Sequence, residues 1–457
     1  MQLYNLNGTW QIKSDTYRVD GRVPCSVYSA LLENNLIPDP YYRDNEVKVL
    51  AVTDEDFTFE RKFDYNGDFS VPVLVCEGID TIAEIFINGK SVAKTDNMFR
   101  TYRLPIKEFL KKGENEIKIF FPSFDKFIKA KHARKPINVG TGATLLGFSY
   151  VRKAHYMSGW DWGPMLPDAG VWKDIYIIDD AEPRITDFIV SQRHDGKKVF
   201  LKAEVKLNTA ADVSLNLTSP TGEETELVNG VETEIKNPSL WWPNGYGKQN
   251  LYTLTMRAEK GCGVTDEKVK RIGLRSLYIS RDKDEWGEEF CFKINGVKIF
   301  AMGADYIPED NILARLSRER TEELMKKCKF ANFNCLRVWG GGFYPHDYFF
   351  DLCDEYGFIV FMDLMFACAS YPYDKEFYDG VEHELKDNLS RIRHHASLGL
   401  ISGNNEIEEE CASWSDEDRK GYLKFFEKFV PKIVKRLCPD TSFVTSSPST
   451  HGKFEDT

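Results

Sequence analysis

Glu406 is the side chain in this sequence most suited to acid–base chemistry. It follows the apolar run Leu398–Ser402 within Gly403-Asn404-Asn405-Glu406. A carboxyl group at a strand end, preceded by an amide, can protonate a leaving-group oxygen if partial burial raises its pKa. The plainer alternative is a helix start, with Asn404 or Asn405 as N-cap and Glu406, Glu408, Glu409 and Glu410 near the positive end of the helix. Comparable positions elsewhere also carry polar groups. Asp305 follows one apolar stretch, Arg337 and Trp339 precede Gly340-Gly341-Gly342, and Asp363 closes a third stretch. Acid, guanidinium, amide and indole groups on one rim would hold a polyol by hydrogen bonds and stack one apolar face of it on an aromatic ring.

Upstream, Ser158-Gly159-Trp160-Asp161-Trp162-Gly163-Pro164 sets a carboxylate between two indoles. Asp161 there is a good acceptor for sugar hydroxyls, although a loop capped by two core indoles is the simpler reading. Trp241-Trp242-Pro243-Asn244-Gly245 reads as structural, two aromatics at a strand end and then a turn. Other chemistries are excluded by what the chain lacks: no G-x-x-x-x-G-K or G-x-G-x-x-G cradle for phosphates, and no G-x-S-x-G elbow for a hydrolase serine. Adjacent His394 and His395 point about 100° apart on a helix, which favours a solvated helix end over a shared ion. No obligatory metal or cofactor is expected.

The elements that must position these groups change character along the chain. Up to about residue 280 the sequence reads as strands and turns, with Asn-Gly at 7, 66, 88, 229 and 244, and once more at 295. Ile82–Ile87, Glu116–Phe121, Val199–Val205 and Val213–Leu217 alternate apolar and polar residues, as half-buried sandwich strands do. Pro183 and the polar segment Ser191–Lys198 suggest a seam near 181, with an immunoglobulin-like sandwich beyond it. From about 290 strand and helix alternate. Val297–Ala301, Cys335–Trp339, Phe358–Met362, Leu398–Ser402 and Ser442–Thr445 read as strands. Helices are expected around Leu324–Ala331, from Pro345 to Gly357, over Phe377–His394 and over Asp416–Leu437. Five parallel strands fit an open sheet or the first part of a (β/α)8 barrel, and in both the functional side chains gather past the carboxyl ends of the strands.

Composition sets the outer limits. A chain of 457 residues is too long for one core and predicts several domains. Its 60 Lys and Arg against 71 Asp and Glu leave a net charge of −11. Nucleic acid and anionic membranes are therefore unexpected partners. No apolar run is long enough to span a bilayer, and the start lacks a signal-peptide pattern, so a cytoplasmic protein is expected. The ten cysteines, Cys262 among them, lack C-x-x-C spacing and read as reduced, mostly buried thiols.

Taken together, Gly159-Trp160-Asp161-Trp162-Gly163-Pro164, Leu240–Gly247, Phe292–Gly296, Arg337-Val338-Trp339-Gly340-Gly341-Gly342 and Gly403–Glu406 resemble the β-mannosidases of glycoside hydrolase family two. The resemblance spans the whole chain. It implies a jelly-roll-like β-sandwich over 1–180, an immunoglobulin-like sandwich over 181–278 and an incomplete (β/α)8 TIM barrel over 279–457. It also implies a retaining exo-β-mannosidase acting on small β-mannosides. Glu406 would be the acid/base and Asn405 would bind the sugar 2-hydroxyl. Asp161, Trp162, Arg337, Trp339, Asp363 and Trp414 would line the terminal mannose pocket. A retaining mechanism needs a second carboxylate about 5 Å away. In the family it lies some ninety or more residues past the acid/base, so it is expected to be missing and the chain alone to be inactive. Asp305 and Tyr306 stand where the family usually has Asn and Trp. A carbohydrate-binding protein without catalysis, or a β-galactosidase or β-glucuronidase specificity, are the alternatives, and the oligomeric state stays open.

Overall fold

The structure is a computed structural model that describes residues 3–142, 144–261 and 263–456. Alternation of side chains builds its first part, in which a six-stranded antiparallel sheet faces a four-stranded one. The six strands run, in order, Arg18–Val23, Gly8–Lys13, Phe57–Tyr65, Gly113–Phe121, Ala83–Ile87 and Lys90–Thr95; the four are Leu3–Asn5, Ile175–Asp179, Pro72–Cys76 and Tyr102–Pro105. In Gly113–Phe121 the odd positions from 115 onward turn inward and the even ones outward. Phe59, Ile85, Ile117 and Leu74 are fully buried between the layers. Each such side chain contributes about 1.5–3 kcal/mol relative to leaving it in water. Asn88-Gly89, with φ of 50° and 77°, closes the hairpin between Ala83–Ile87 and Lys90–Thr95. Positive φ at two successive positions is what the primed hairpin turn demands.

The second part is a smaller sandwich of three strands (Ile185–Asp195, Lys198–Leu207, Glu232–Ile235) against four (Glu224–Leu227, Asp212–Thr218, Tyr252–Lys260, Gly263–Ile272). Leu201, Leu254, Met256 and Ile272 fill it. The polar segment Ser191–Lys198, taken with Pro183 to mark a seam near 181, itself lies within this sandwich. Ser191–Asp195 continues the strand begun at Ile185, pairing with Phe200–Lys202 and beyond, because polar residues suit a sheet face open to water.

The third part is a parallel sheet of five strands in sequential order: Gly303–Tyr306, Cys335–Val338, Ile359–Asp363, Leu398–Ser402 and Ser442–Val444. Helices Arg318–Phe330, Asp347–Tyr356 and Lys375–Ile392 connect the first four. A longer helical stretch from Asp416 to Leu437, interrupted by a π-turn at Phe425–Phe429, leads to the fifth. Gly357, at φ 79°, stops the second helix, and its amide donates to the Cys353 carbonyl. The run Val297–Ala301 is not the first parallel strand. Val297–Ile299 folds back on Cys291–Ile294 across Asn295-Gly296, whose paired positive φ values of 48° and 84° specify a hairpin; the parallel sheet starts at Gly303.

Buried polar contacts join the three parts. Arg152 of the first sandwich meets Glu384 on helix Lys375–Ile392 at 2.6 Å, with both side chains out of solvent. The Trp241 indole of the second part donates to the Asp354 carbonyl at 2.8 Å. His394 and His395 are buried, which corrects the solvated helix end. His395 Nδ1 lies 2.7 Å from Asp354 Oδ2, and His394 packs on Phe188. Nine cysteines are free thiols and seven of these are buried; Cys262 lies outside the described residues. Among the described residues no helix is long and apolar enough to cross a membrane.

Candidate active site

The carboxyl ends of strands Cys335–Val338, Ile359–Asp363 and Leu398–Ser402 lie side by side, and their side chains meet in one hydrogen-bonded chain. Arg337 Nη2 donates to Asp363 Oδ2 at 2.7 Å and to Asn405 Oδ1 at 2.8 Å. Its Nη1 reaches Asp305 Oδ1 at 3.4 Å; Asp305 falls within the first strand, near its end, and is exposed. Asp363 is fully buried and also accepts the Gly340 amide at 3.1 Å. Burial pushes its carboxyl up to about 7, against the pull of Arg337. With its carboxylate bound, Arg337 is fixed with one edge toward Asn405.

Asn405 passes the order on. Its amide nitrogen donates to Cys368 Sγ at 3.4 Å, and the Cys368 thiol donates to Glu406 Oε2 at 3.3 Å. Burial, with Glu410 and Glu406 alongside, pushes the thiol well above the ordinary range, so it is a donor. Asn404 does the helix-capping: its Oδ1 accepts the Ile407 amide at 3.1 Å, and its Nδ2 donates to the Thr445 carbonyl at 3.0 Å. Relieved of that task, Glu406 takes φ 60°, ψ 3°, and its amide donates to the Ser447 carbonyl at 3.0 Å. A left-handed backbone at a non-glycine residue is costly and concentrates at functional positions. Glu406 is exposed. The partial burial that the acid reading calls for is not found.

The first sandwich reaches this end of the sheet through Trp339. Ser158–Trp160 and Gly163–Met165 form a two-stranded hairpin with Asp161 and Trp162 as its turn. The Trp160 ring meets Trp339 edge to face at 4.9 Å, and Trp162 meets Trp339 at 5.4 Å while stacking on Tyr156. Trp160 is a core indole but Trp162 is 41% exposed, so only half of the simple reading holds. Asp161 is exposed beside it. Trp414, half-buried, sits on the turn after the short helix Ile407–Cys411, where its amide donates to the Cys411 carbonyl at 3.0 Å.

Two contributors were not anticipated. Cys368 lies in the apolar run Leu364–Cys368, which reads as one more buried thiol. Glu410 lies one turn along from Glu406, and ligand atoms of Cys368, Glu406 and Glu410 fall within 4.8 Å of one another. Burial pushes Glu410 up to about 7, and the Glu406 charge adds to this. A second loop of the first sandwich covers it. The Gly140 amide donates to the Cys368 carbonyl at 2.8 Å, and a Cβ at Gly140 would lie 2.0 Å from the Glu410 carboxyl group. Spacing of i and i+4 on a helix could have flagged Glu410; the Gly140 loop had no signal in the sequence.

Residues 10–173 match the glycosyl hydrolase 2 galactose-binding domain-like family, and residues 183–275 match glycosyl hydrolases family 2. The chain is 32% identical to β-mannosidase B of Emericella nidulans, over 94% of this chain and 55% of that protein. It is 32% identical to the β-mannosidase of Bos taurus, over 98% of this chain and 56% of that one. The crystal structure of a β-D-mannosidase from Dictyoglomus thermophilum superposes with a TM-score of 0.91 at 34% identity, over 99% of this chain and 59% of that one. The chain thus spans somewhat over half the length of the relatives it matches. With its two sandwich regions matched by family profiles and nearly its whole length aligned to such relatives, the chain belongs to glycoside hydrolase family 2.

Proposed function

We propose that this chain carries the sugar-recognition and proton-donating half of a retaining exo-β-mannosidase. The five parallel strands are read as the first five of a (β/α)8 barrel that follows sandwiches at 1–180 and 181–278. One observation supports the proposal: the hydrogen-bonded chain Arg337–Asn405–Cys368–Glu406 begins two residues before Trp339, whose ring meets Trp160 and Trp162 of the first sandwich. In this reading Trp162 and Trp339 stack on a terminal mannose, while Asp161, Arg337, Asp363 and Asn405 hold its hydroxyls, with Trp414 at the edge. Glu406 protonates the glycosidic oxygen as the bond to the anomeric carbon breaks.

A retaining reaction also needs a carboxylate to attack that carbon from the other face, about 5 Å from the acid. Glu410 does not serve. It stands on the same helix as Glu406, one turn on, beside it and not across a sugar-sized gap, and Gly140 closes over it. The 457-residue chain is accordingly expected to bind β-mannosides with little turnover. Calorimetric titration with mannose and with a β-linked manno-oligosaccharide should give saturable binding that weakens by about tenfold in Asp161→Ala, the loss of one charged hydrogen bond. Equal or tighter binding of matched galactosides or glucuronides would overturn the mannoside assignment. Where slow aryl β-mannoside hydrolysis is detectable, Glu406→Gln should abolish it.

A further inference from the structure

Where the three parts meet they line an open cleft of about 1200 Å³. The first sandwich contributes the segments around Phe99–Leu104 and Trp172–Asp174, the second sandwich Arg184–Phe188 and Lys268–Lys270, and the parallel sheet's helices His346–Tyr348 and His383–Arg391. In a chain of net charge −11 this cleft is cationic. Arg100, Arg103, Lys173, Lys268 and Lys386 all line it without an ion pair among the described residues, although Arg100 lies over the Tyr102 ring at 4.9 Å and Lys173 over the Trp172 ring at 4.4 Å. Eight Lys and Arg side chains line the cleft against five carboxylates, Glu77, Asp174, Asp187, Asp347 and Asp387, so positive charge is in excess. Asp347 is held by Arg391 at 2.6 Å and by Lys270 at 3.3 Å, and Asp187 is held by Arg393. Asp387 accepts the Thr101 amide at 2.9 Å, and Glu77 accepts the Tyr176 hydroxyl at 2.9 Å.

The cost of this excess of positive charge is visible. The Arg100 Nε is buried without a hydrogen-bond partner. Burial, with Arg391 nearby, pushes Lys173 down to about 7, although Glu77, Asp347 and Asp387 pull the other way. His346, which faces Lys173 and Arg391, is pushed down to about 3 by burial and those two charges. Burial also lowers Lys268. Proteins seldom gather an excess of partly desolvated cations from three separate segments without a further anion to balance it.

We infer that the three-domain cleft binds a small, multiply charged anion of the phosphate type, gripped from the two sandwiches and the helical layer together. Arg100 and Arg103 offer forked donors to its oxygens, and the lysines offer point charges. Neither the sugar site nor its chemistry is needed for this binding.

Inorganic tripolyphosphate is the probe, titrated calorimetrically into the 457-residue chain at pH 8 and low salt. Saturable one-to-one binding is expected, weakened about tenfold by Lys173→Met and separately by Lys268→Met, which lies in another part of the fold. Lys326→Gln, on an exposed helix surface, should leave it unchanged. Binding should also take up a proton, since an anion restores the Lys173 charge. Repeating the titration in buffers of different ionisation enthalpy reads that uptake, and Lys173→Met should remove it. Neither Met variant breaks an ion pair and each relieves a partly desolvated cation, so neither is expected to lower the unfolding temperature. Mannose 6-phosphate and ADP, compared with tripolyphosphate, tell a sugar phosphate from a nucleotide as the natural source. No saturable heat at millimolar probe, or equal weakening by Lys326→Gln, would overturn the inference.

Discussion

The charges around Glu406 are arranged so that each neighbour has a separable consequence. Asp363 is the fully buried partner of Arg337 and sets where its guanidinium points. Replacing it with Ala leaves a mostly buried cation facing Asn405 and should cost about 3 kcal/mol in urea unfolding, at the low end for breaking a buried pair. Sugar binding should weaken in the same variant. Glu410 acts in the opposite sense. Burial raises its carboxyl to about 7 in the folded chain, above its unfolded value. The folded state therefore holds on to a proton that the unfolded chain releases, and stability falls as pH rises from the ordinary carboxylate range through 7. Glu410→Gln removes that penalty. Its unfolding temperature should exceed that of the parent by about 2 °C at pH 8 and match it near pH 4, as scanning calorimetry would show.

At the scale of elements, the Trp160–Trp162 hairpin separates structure from binding within three residues. Trp160 is buried against Trp339 and Phe148, and Trp160→Ala should cost about 3 kcal/mol. Trp162 is 41% exposed, and Trp162→Ala should leave stability within about 0.5 kcal/mol while weakening mannoside binding. If both variants lost stability alike, the hairpin would be a structural clasp only. The sequence made this much of the molecule legible for a physical reason: its periodicities are strong. Leu398–Ser402 is a strand as read, and the helix from Pro345 to Gly357 appears within two residues, because a Pro, a Gly and an apolar face mark it. Val297–Ala301 was misread because composition favours a strand without saying which neighbour it pairs with; the Asn295-Gly296 turn decided that. His394-His395 was misread because helix periodicity cannot see the second sandwich, whose Phe188 covers that helix end. The same limit applied at the site. Arg337, Asp363 and Asn405 could be placed from strand ends, whereas Cys368 and Gly140 enter through loops whose approach depends on domain packing.

For the whole molecule, the joint between the first sandwich and the helical layer sets how the Trp160–Trp162 hairpin meets Trp339, on which the proposed site depends. Glu384 is the centre of that joint. It accepts from Arg152 Nε at 2.9 Å and Nη2 at 2.6 Å, from Asn97 Nδ2 at 2.8 Å and from the Tyr344 hydroxyl at 2.9 Å. The Arg152 guanidinium lies 4.0 Å from the centre of the Phe366 ring, and its Nη2 also donates to the Met365 carbonyl. A pair so enclosed adds little over apolar packing when intact, yet breaking it strands a charge in a low-dielectric interior. Glu384→Gln should therefore cost about 3–5 kcal/mol and split a shared calorimetric transition in two, as the sandwich and the helical layer cease to unfold together. Replacing both residues, as Arg152→Met with Glu384→Leu, removes the stranded charge and should recover most of that loss. A single transition at unchanged temperature in Glu384→Gln would mean that the domains are coupled elsewhere. Trp160 against Trp339 would then be the contact on which the proposed site depends.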